Sequence, residues 1–96
     1  MANVVVRYYN IIRDVAGRQE EALALVDGAT VLDLLELVSR GHGAKIERFL
    51  LTKEGGKSTY LSLFVNGKRV EGASVGDALA DGDVIMLLPA IAGGHR

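Results

Sequence analysis

The chain has no cysteine. That absence removes disulfides, thiolate catalysis, iron–sulfur clusters and cysteine-based zinc sites together. It also argues against secretion, where small domains usually need covalent staples. Aromatic residues are scarce: three tyrosines, two phenylalanines and no tryptophan. No stacking platform for single-stranded nucleic acid can be built from so few. The net charge is −1 and the charges are scattered, so no basic stripe marks a nucleic-acid surface. Every apolar run falls far short of the ~18 residues of a membrane span. Met1-Ala2-Asn3 leads directly into a strand-like segment, without the charged and apolar regions of a signal peptide. A cytoplasmic protein with neither nucleic acid nor membrane as partner is expected. Histidine occurs only as His42 and His95. Neither has a second histidine or a carboxylate at ligand spacing, so no metal site is expected. Proline occurs once, as Pro89.

What is present fits one domain. A chain of 96 residues buries roughly 60–70% of its unfolded surface, enough for a single core. Val4-Val5-Val6-Arg7-Tyr8-Tyr9 is β-branched and aromatic and reads as a strand. Asn10 to Gln19 is less regular, with Ile11 and Ile12 expected to tuck under the sheet and Gly17 in a turn. Glu20 to Val26 alternates as a second strand, antiparallel to the first, and Asp27-Gly28 closes it. The segment from Thr30 to Arg40 is the clearest helix. Thr30 is a good N-cap, with Asp33 three residues on as a weak capping box. Val31, Leu34, Leu35 and Val38 lie on one face, while Glu36 and Arg40 are spaced for an i,i+4 pair on the other. Gly41-His42-Gly43 is expected to end it.

Ala44 to Leu51 reads as a short second helix with Ile46, Phe49 and Leu50 inward, and Thr52 to Thr59 as a polar surface loop. Tyr60 to Val65 is a strand. Asn66-Gly67 is the strongest hairpin signal in the chain, because a type I′ turn needs positive φ at both positions. Lys68 to Glu71 is its short partner. Ser74 is expected to cap a helical turn through Leu79, and Asp81-Gly82-Asp83 turns into a last strand, Val84 to Leu88. The first and last strands are both strongly apolar and are most easily placed side by side at the centre, parallel, with the helix as a right-handed crossover. The fold expected is an α+β roll of the β-grasp type, a mixed sheet carrying one main helix. One helix covers one face only. Yet the strands at Val4–Val6, Leu61–Val65 and Val84–Leu88 are apolar on both faces. The surplus is covered by loops and the short helix, or it is an exposed docking patch.

Chemistry has few places to sit. Asp81 and Asp83 flank a glycine and read as a β-turn rather than an acid/base pair. Gly55-Gly56-Lys57 lacks the spacing and hydroxyl of a phosphate loop, and Gly93-Gly94 opens no helix. The chain is therefore not expected to be an enzyme. What remains is the end of the chain. Pro89, which has no N–H to donate, is expected to stop the last strand's ladder. The domain then spans 1–89, and 90–96 form a slim, flexible tail.

Gly-Gly at the end of a β-grasp, directly after a strand and a proline, is a more specific signal than Gly-Gly alone. The stretches Arg7-Tyr8-Tyr9-Asn10-Ile11-Ile12-Arg13-Asp14-Val15-Ala16-Gly17, Phe64-Val65-Asn66-Gly67 and Leu79 through Gly94 resemble the MoaD/ThiS family of ubiquitin-like sulfur carriers. The loop at Thr52–Thr59 and the Pro-Ala-Ile-Ala-Gly-Gly ending most resemble carriers of the CysO type, with the molybdopterin type next. The resemblance implies that the terminal carboxylate of Gly94 is the working group. A ubiquitin-activating-like adenylyltransferase would spend ATP on an acyl-adenylate, and a sulfur donor would displace AMP to leave a thiocarboxylate. A sulfur-accepting synthase of cysteine or homocysteine type would receive that sulfur. A molybdopterin synthase, or a protein lysine modified by the same glycine, are the alternatives. Ile91, Ala92 and Gly93 would thread the partner's cleft, since residues without a bulky Cβ fit narrow channels. From Pro89 to Gly94 the chain reaches roughly 15–18 Å when extended. The sequence departs from the family pattern in one place: His95 and Arg96 follow Gly94. The bond between Gly94 and His95 is thus the expected processing site, cut by a metalloprotease of the JAMM type, and without that cut Gly94 is an internal amide. No bound cofactor is implied, and the free protein is expected to be a monomer.

Overall fold

The computed structural model describes residues 1–90. Strand β1 (Ala2–Tyr8) is followed by helix α1 (Asn10–Ala16), strand β2 (Glu20–Leu25), helix α2 (Val31–His42) and helix α3 (Ala44–Leu50). Strands β3 (Leu61–Val65) and β4 (Lys68–Val70) form a hairpin, a 3-10 turn covers Gly72–Gly76, and β5 (Val84–Pro89) comes last. The sheet has five strands in the order β2-β1-β5-β3-β4. β1 and β5 are parallel neighbours at its centre, and the other pairs are antiparallel. This is the β-grasp arrangement expected from the two apolar strands at either end of the sequence.

The core lies between the sheet and the helices. Val4, Val6 and Tyr8 of β1, Leu61 and Leu63 of β3, and Ile85 and Leu87 of β5 point inward. They meet Leu34, Leu35 and Val38 of α2, Ile46 and Leu50 of α3, and Ile12 of α1 in one cluster. Burial alternates along β1 and β5, as the two-residue period of a strand requires. The start of α2 is fixed by a complete capping box: Asp33 N donates to Thr30 Oγ1 at 3.1 Å, and Thr30 N donates to Asp33 Oδ2 at 2.9 Å.

Several local expectations change. The region after β1 is helical, and only Ile12 enters the core, because consecutive helical residues diverge by about 100°; Ile11 is 40% exposed. Helix α2 runs through Gly41 to His42 and ends at Gly43, whose φ of +92° is open to glycine. Glu36 and Arg40 form no ion pair within 4.0 Å. Ser74 lies inside the 3-10 turn rather than capping it. The loop at 52–59 is more than a polar surface: Leu51 bridges to Lys57, and Ser58 is buried. The Asn66-Gly67 turn holds, with φ of +52° and +85°.

Candidate functional site

The end of β5 leads to the reactive residues expected from the sequence. Ile91, Ala92, Gly93, Gly94 and His95, with Arg96, lie outside the described residues. What the structure defines is the platform from which they depart. Pro89 does not stop the ladder. It pairs with Leu61, and Ala90 N goes on to donate to Tyr60 O at 2.6 Å. The reason is register. That bond makes Tyr60 and Ala90 a hydrogen-bonded pair, so Leu61 and Pro89 form the alternate pair, which exchanges no bonds. The missing N–H of Pro89 therefore faces away from β3, toward β1. There the chain has already turned: Tyr9 N makes the last bond on that side, to Leu87 O at 3.1 Å, and α1 begins at Asn10. A proline fits here without leaving a partner unpaired.

Two recesses flank Ala90. One, of about 360 Å³, is lined by Arg48, Phe49, Tyr60, Pro89 and Ala90. Tyr60 is two-thirds exposed there, at 68%. The other, of about 490 Å³, includes Lys57, Leu61, Arg69, Glu71 and Ala90. The Lys57 ammonium donates to Leu61 O at 2.6 Å and to Ser58 O at 3.0 Å. It thereby ties the loop before β3 to the first residue of that strand, next to Tyr60. Burial pushes the Lys57 pKa down, against the opposing pull of Glu71.

The outer face of the sheet decides between the two readings of its surplus apolar residues. Helix α3 sits with α2 on the inner side, where Ile46 and Leu50 are buried. It leaves the other face uncovered. Val5 pairs with Val84, and Phe64 with Met86, so these residues and Leu88 form an apolar row across β1, β5 and β3. Each is partly exposed. Arg69 lies over the Phe64 ring, 5.1 Å from its centroid. The row runs along the strand that ends at Pro89.

A polar cluster on the inner side escaped the sequence reading. Glu21 Oε1 accepts from Tyr8 Oη at 2.7 Å and from His42 Nε2 at 2.9 Å, while Arg18 lies 3.5 Å from Oε2. A carboxylate only accepts, so Nε2 of His42 carries its proton. The Tyr8 and His42 rings meet edge to face at 5.8 Å. Burial alone would raise the Glu21 pKa, but the hydrogen bonds from His42 and Tyr8, aided by positive charge, hold it below the ordinary value. Burial and the Glu21 carboxylate push the Tyr8 phenol up. Glu21 and His42 are 21 residues apart, and no spacing rule joins them. The only signal was Glu21 itself, a charge at an inward position of β2. Among the described residues no group of three or more histidine and acidic side chains could hold a metal, and no helix is long and apolar enough to cross a membrane.

Comparison with known proteins places this geometry. The ThiS family model matches residues 6–94. A candidate sulfur carrier protein of Archaeoglobus fulgidus is 35% identical over 66 residues, covering 68% of this chain and 74% of the relative. Among solved structures, SAMP1 from Haloferax volcanii superposes with a TM-score of 0.81 at 26% identity, covering 97% of this chain and all 100% of the other. The Amycolatopsis orientalis BexX/CysO complex gives a TM-score of 0.70 at 30% identity, covering 95% of this chain and 99% of the matched chain. With a β-grasp sheet whose central strand leads into the Gly-Gly end, and a family match that runs through Gly94, the chain belongs to the ThiS family of small ubiquitin-like sulfur carriers.

Proposed function

We propose that this protein carries sulfur as a thiocarboxylate on Gly94, formed after His95 and Arg96 are removed, and delivers it to a synthase of the cysteine or homocysteine type. The observation that carries the reading is the family match ending at Gly94, in a chain where Gly-Gly follows the central strand. The Pro-Ala-Ile-Ala-Gly-Gly ending and the loop at 52–59 favour the CysO type, and the likeness to the CysO complex supports it. A metalloprotease of the JAMM type would hydrolyse the Gly94–His95 amide, adding water and releasing the dipeptide His-Arg. The freed carboxylate oxygen then attacks the α-phosphorus of ATP on an adenylyltransferase. This yields the glycyl-adenylate and pyrophosphate. A sulfide or persulfide sulfur adds to the acyl carbon and expels AMP, leaving –COS⁻; from a persulfide, the remaining S–S bond is cleaved by a thiol, which is oxidised to a disulfide. The thiocarboxylate is a good nucleophile at neutral pH and splits one hard transfer into two easier ones.

The domain's part is to dock and to aim. The apolar row of Val5, Val84, Met86, Phe64 and Leu88 suits the adenylyltransferase's docking surface, because it shares a strand with the exit at Pro89. Ordering the tail residues costs about 1–2 kcal/mol each, and docking contacts offset this. The likeness to SAMP1 supports a second reading, in which the same activated glycine forms an isopeptide with a lysine. The experiment is mass spectrometry of the chain ending at Gly94 after incubation with ATP, a sulfide source and the host's adenylyltransferase. A gain of about 16 Da, from –COOH to –COSH, is expected. Unchanged mass with an enzyme that consumes ATP on its own carrier refutes the proposal, and higher-mass conjugates in host extract select the modifier reading.

A further inference from the structure

The ladder between β3 and β5 ends on a single bond. Ala90 N donates to Tyr60 O at 2.6 Å. Tyr60 N returns no bond to Ala90 O, because its one hydrogen goes to Ser58 Oγ at 3.0 Å. An antiparallel ladder carried one step further would pair Ser58 with Ala92, two residues beyond the Tyr60–Ala90 pair on each strand. It would need three groups from the segment leading into β3: the Tyr60 N–H, the Ser58 carbonyl and the Ser58 N–H. All three are already in use.

Ser58 N donates to Leu50 O at 2.9 Å. Ser58 O accepts from Leu61 N at 3.2 Å and from the Lys57 ammonium at 3.0 Å. A carbonyl has two lone pairs, so no place is left for a third donor. With the Oγ bond, these contacts fold residues 58–61 into a turn fastened to the end of α3. Ser58, 4% exposed, is the hub of all of them.

The opposite side of β5 is closed at the same level. The next donor toward β1 falls at Pro89, which has none, and Tyr9 O accepts from Arg13 N at 3.3 Å as α1 begins. The two neighbouring strands therefore turn away from β5 together. One such ending is an ordinary strand end. Two that meet at Pro89 and Ala90 set the point at which the chain leaves the sheet.

We propose that Ser58 is a positioning residue: it closes the β3 edge, keeps Ile91 through Gly94 from zipping onto the protein's own sheet, and leaves them their full length for a partner's cleft. The role rests on the reading of Gly94 as the working end. Each residue zipped onto β3 would take about 3.3 Å from the reach of the tail. Pairing through Ala92 would leave only Gly93 and Gly94 to enter a buried site.

The test is amide hydrogen exchange followed by NMR on the full chain. In the wild type the Tyr60 amide should be protected, while the Ala92 amide should exchange within about threefold of the unfolded-chain rate. Ser58→Ala leaves the Tyr60 N–H to Ala90 O, and a scalar coupling across that hydrogen bond, absent from the wild type, should appear. Adding Lys57→Met frees a lone pair on the carbonyl at position 58, and Ala92 exchange should slow at least about tenfold. The chain ending at Gly94, with both substitutions, should then bind the host's adenylyltransferase more weakly by the same factor, because only the unzipped fraction can enter the cleft. Ser58→Thr keeps the hydroxyl and should match the wild type in every readout. A residue that merely supports the fold would lower the melting temperature without altering exchange at Ala92. Ala92 protection in the wild type, no coupling to Ala90 in Ser58→Ala, or unchanged Ala92 exchange in the folded double variant overturns the proposal. Should the double variant not fold, the coupling in the single one decides. An adenylyltransferase that ignores even the wild-type chain overturns the carrier reading, and the exchange data then judge Ser58 alone.

Discussion

Replacing Glu21 with alanine should damage the fold far more than a substitution on an edge strand ordinarily does. Its carboxylate takes the hydroxyl of Tyr8, a residue only 1% exposed, and the imidazole of His42 at the end of α2. Removing the acceptor strands a buried hydroxyl. That alone costs about 1–3 kcal/mol. Losing the bond to His42 adds about 1 kcal/mol, for a total of roughly 2–4 kcal/mol. Tyr8→Phe removes the donor but keeps the ring in its place, and should cost about 1 kcal/mol. The two changes share one interaction, so the double variant should be no less stable than Glu21→Ala by more than about 0.5 kcal/mol. Urea denaturation followed by circular dichroism measures all four proteins. With a slope of about 1–1.5 kcal/mol/M, Glu21→Ala should move the midpoint down by roughly 2 M. The pH dependence follows from the lowered Glu21 pKa. The stabilisation is fully present above the ordinary glutamate value of 4.5 and drains away as pH falls through the lower folded value. The difference between wild type and Glu21→Ala should therefore shrink in acid. Additive single-variant costs, or a Glu21→Ala midpoint within about 0.3 M of wild type, refute the assignment of the cluster as a unit.

Three further outcomes are expected. Gly67→Ala forces a side chain to φ of +85° in the β3–β4 turn and should cost about 1–2 kcal/mol, read as a fall of roughly 5–15 °C in melting temperature. Leu87→Ala empties a site at 0% exposure in the central strand and should cost about 2–5 kcal/mol by urea denaturation. Met86→Lys puts a charge in the middle of the outer apolar row. It should slow thiocarboxylate formation at least about tenfold in the mass-spectrometric assay, through weaker docking, while changing stability by less than about 1 kcal/mol.

The sequence carried the sheet order because its information is local and redundant. The apolar runs at Val4 and Val84, the Thr30 cap and the Asn66-Gly67 turn each state their own structure, and together they leave one topology. The misses have a common cause. Whether Pro89 ends a ladder depends on which side its nitrogen faces, and that is set by register against Leu61. Whether α3 covers the outer face depends on which side of the sheet it crosses, which its apolar residues do not specify. The Glu21–His42 contact joins α2 to β2, and Ser58 was indistinguishable from any polar residue in a loop. The family resemblance at the Gly-Gly end, by contrast, needed no tertiary neighbour to be recognised, because it rests on residues consecutive in the chain.

The parallel pairing of β1 and β5 has a mechanical consequence. The chain enters the sheet at one end of β1 and leaves at the opposite end of β5. A pull on the two ends of the domain therefore slides these strands past each other, loading their rungs at the same moment instead of one after another. β5 is also held on its other side by β3. A partner that grips the end of the chain and draws it inward tugs on a strand clamped on both sides, and the domain can bear that tension without unravelling.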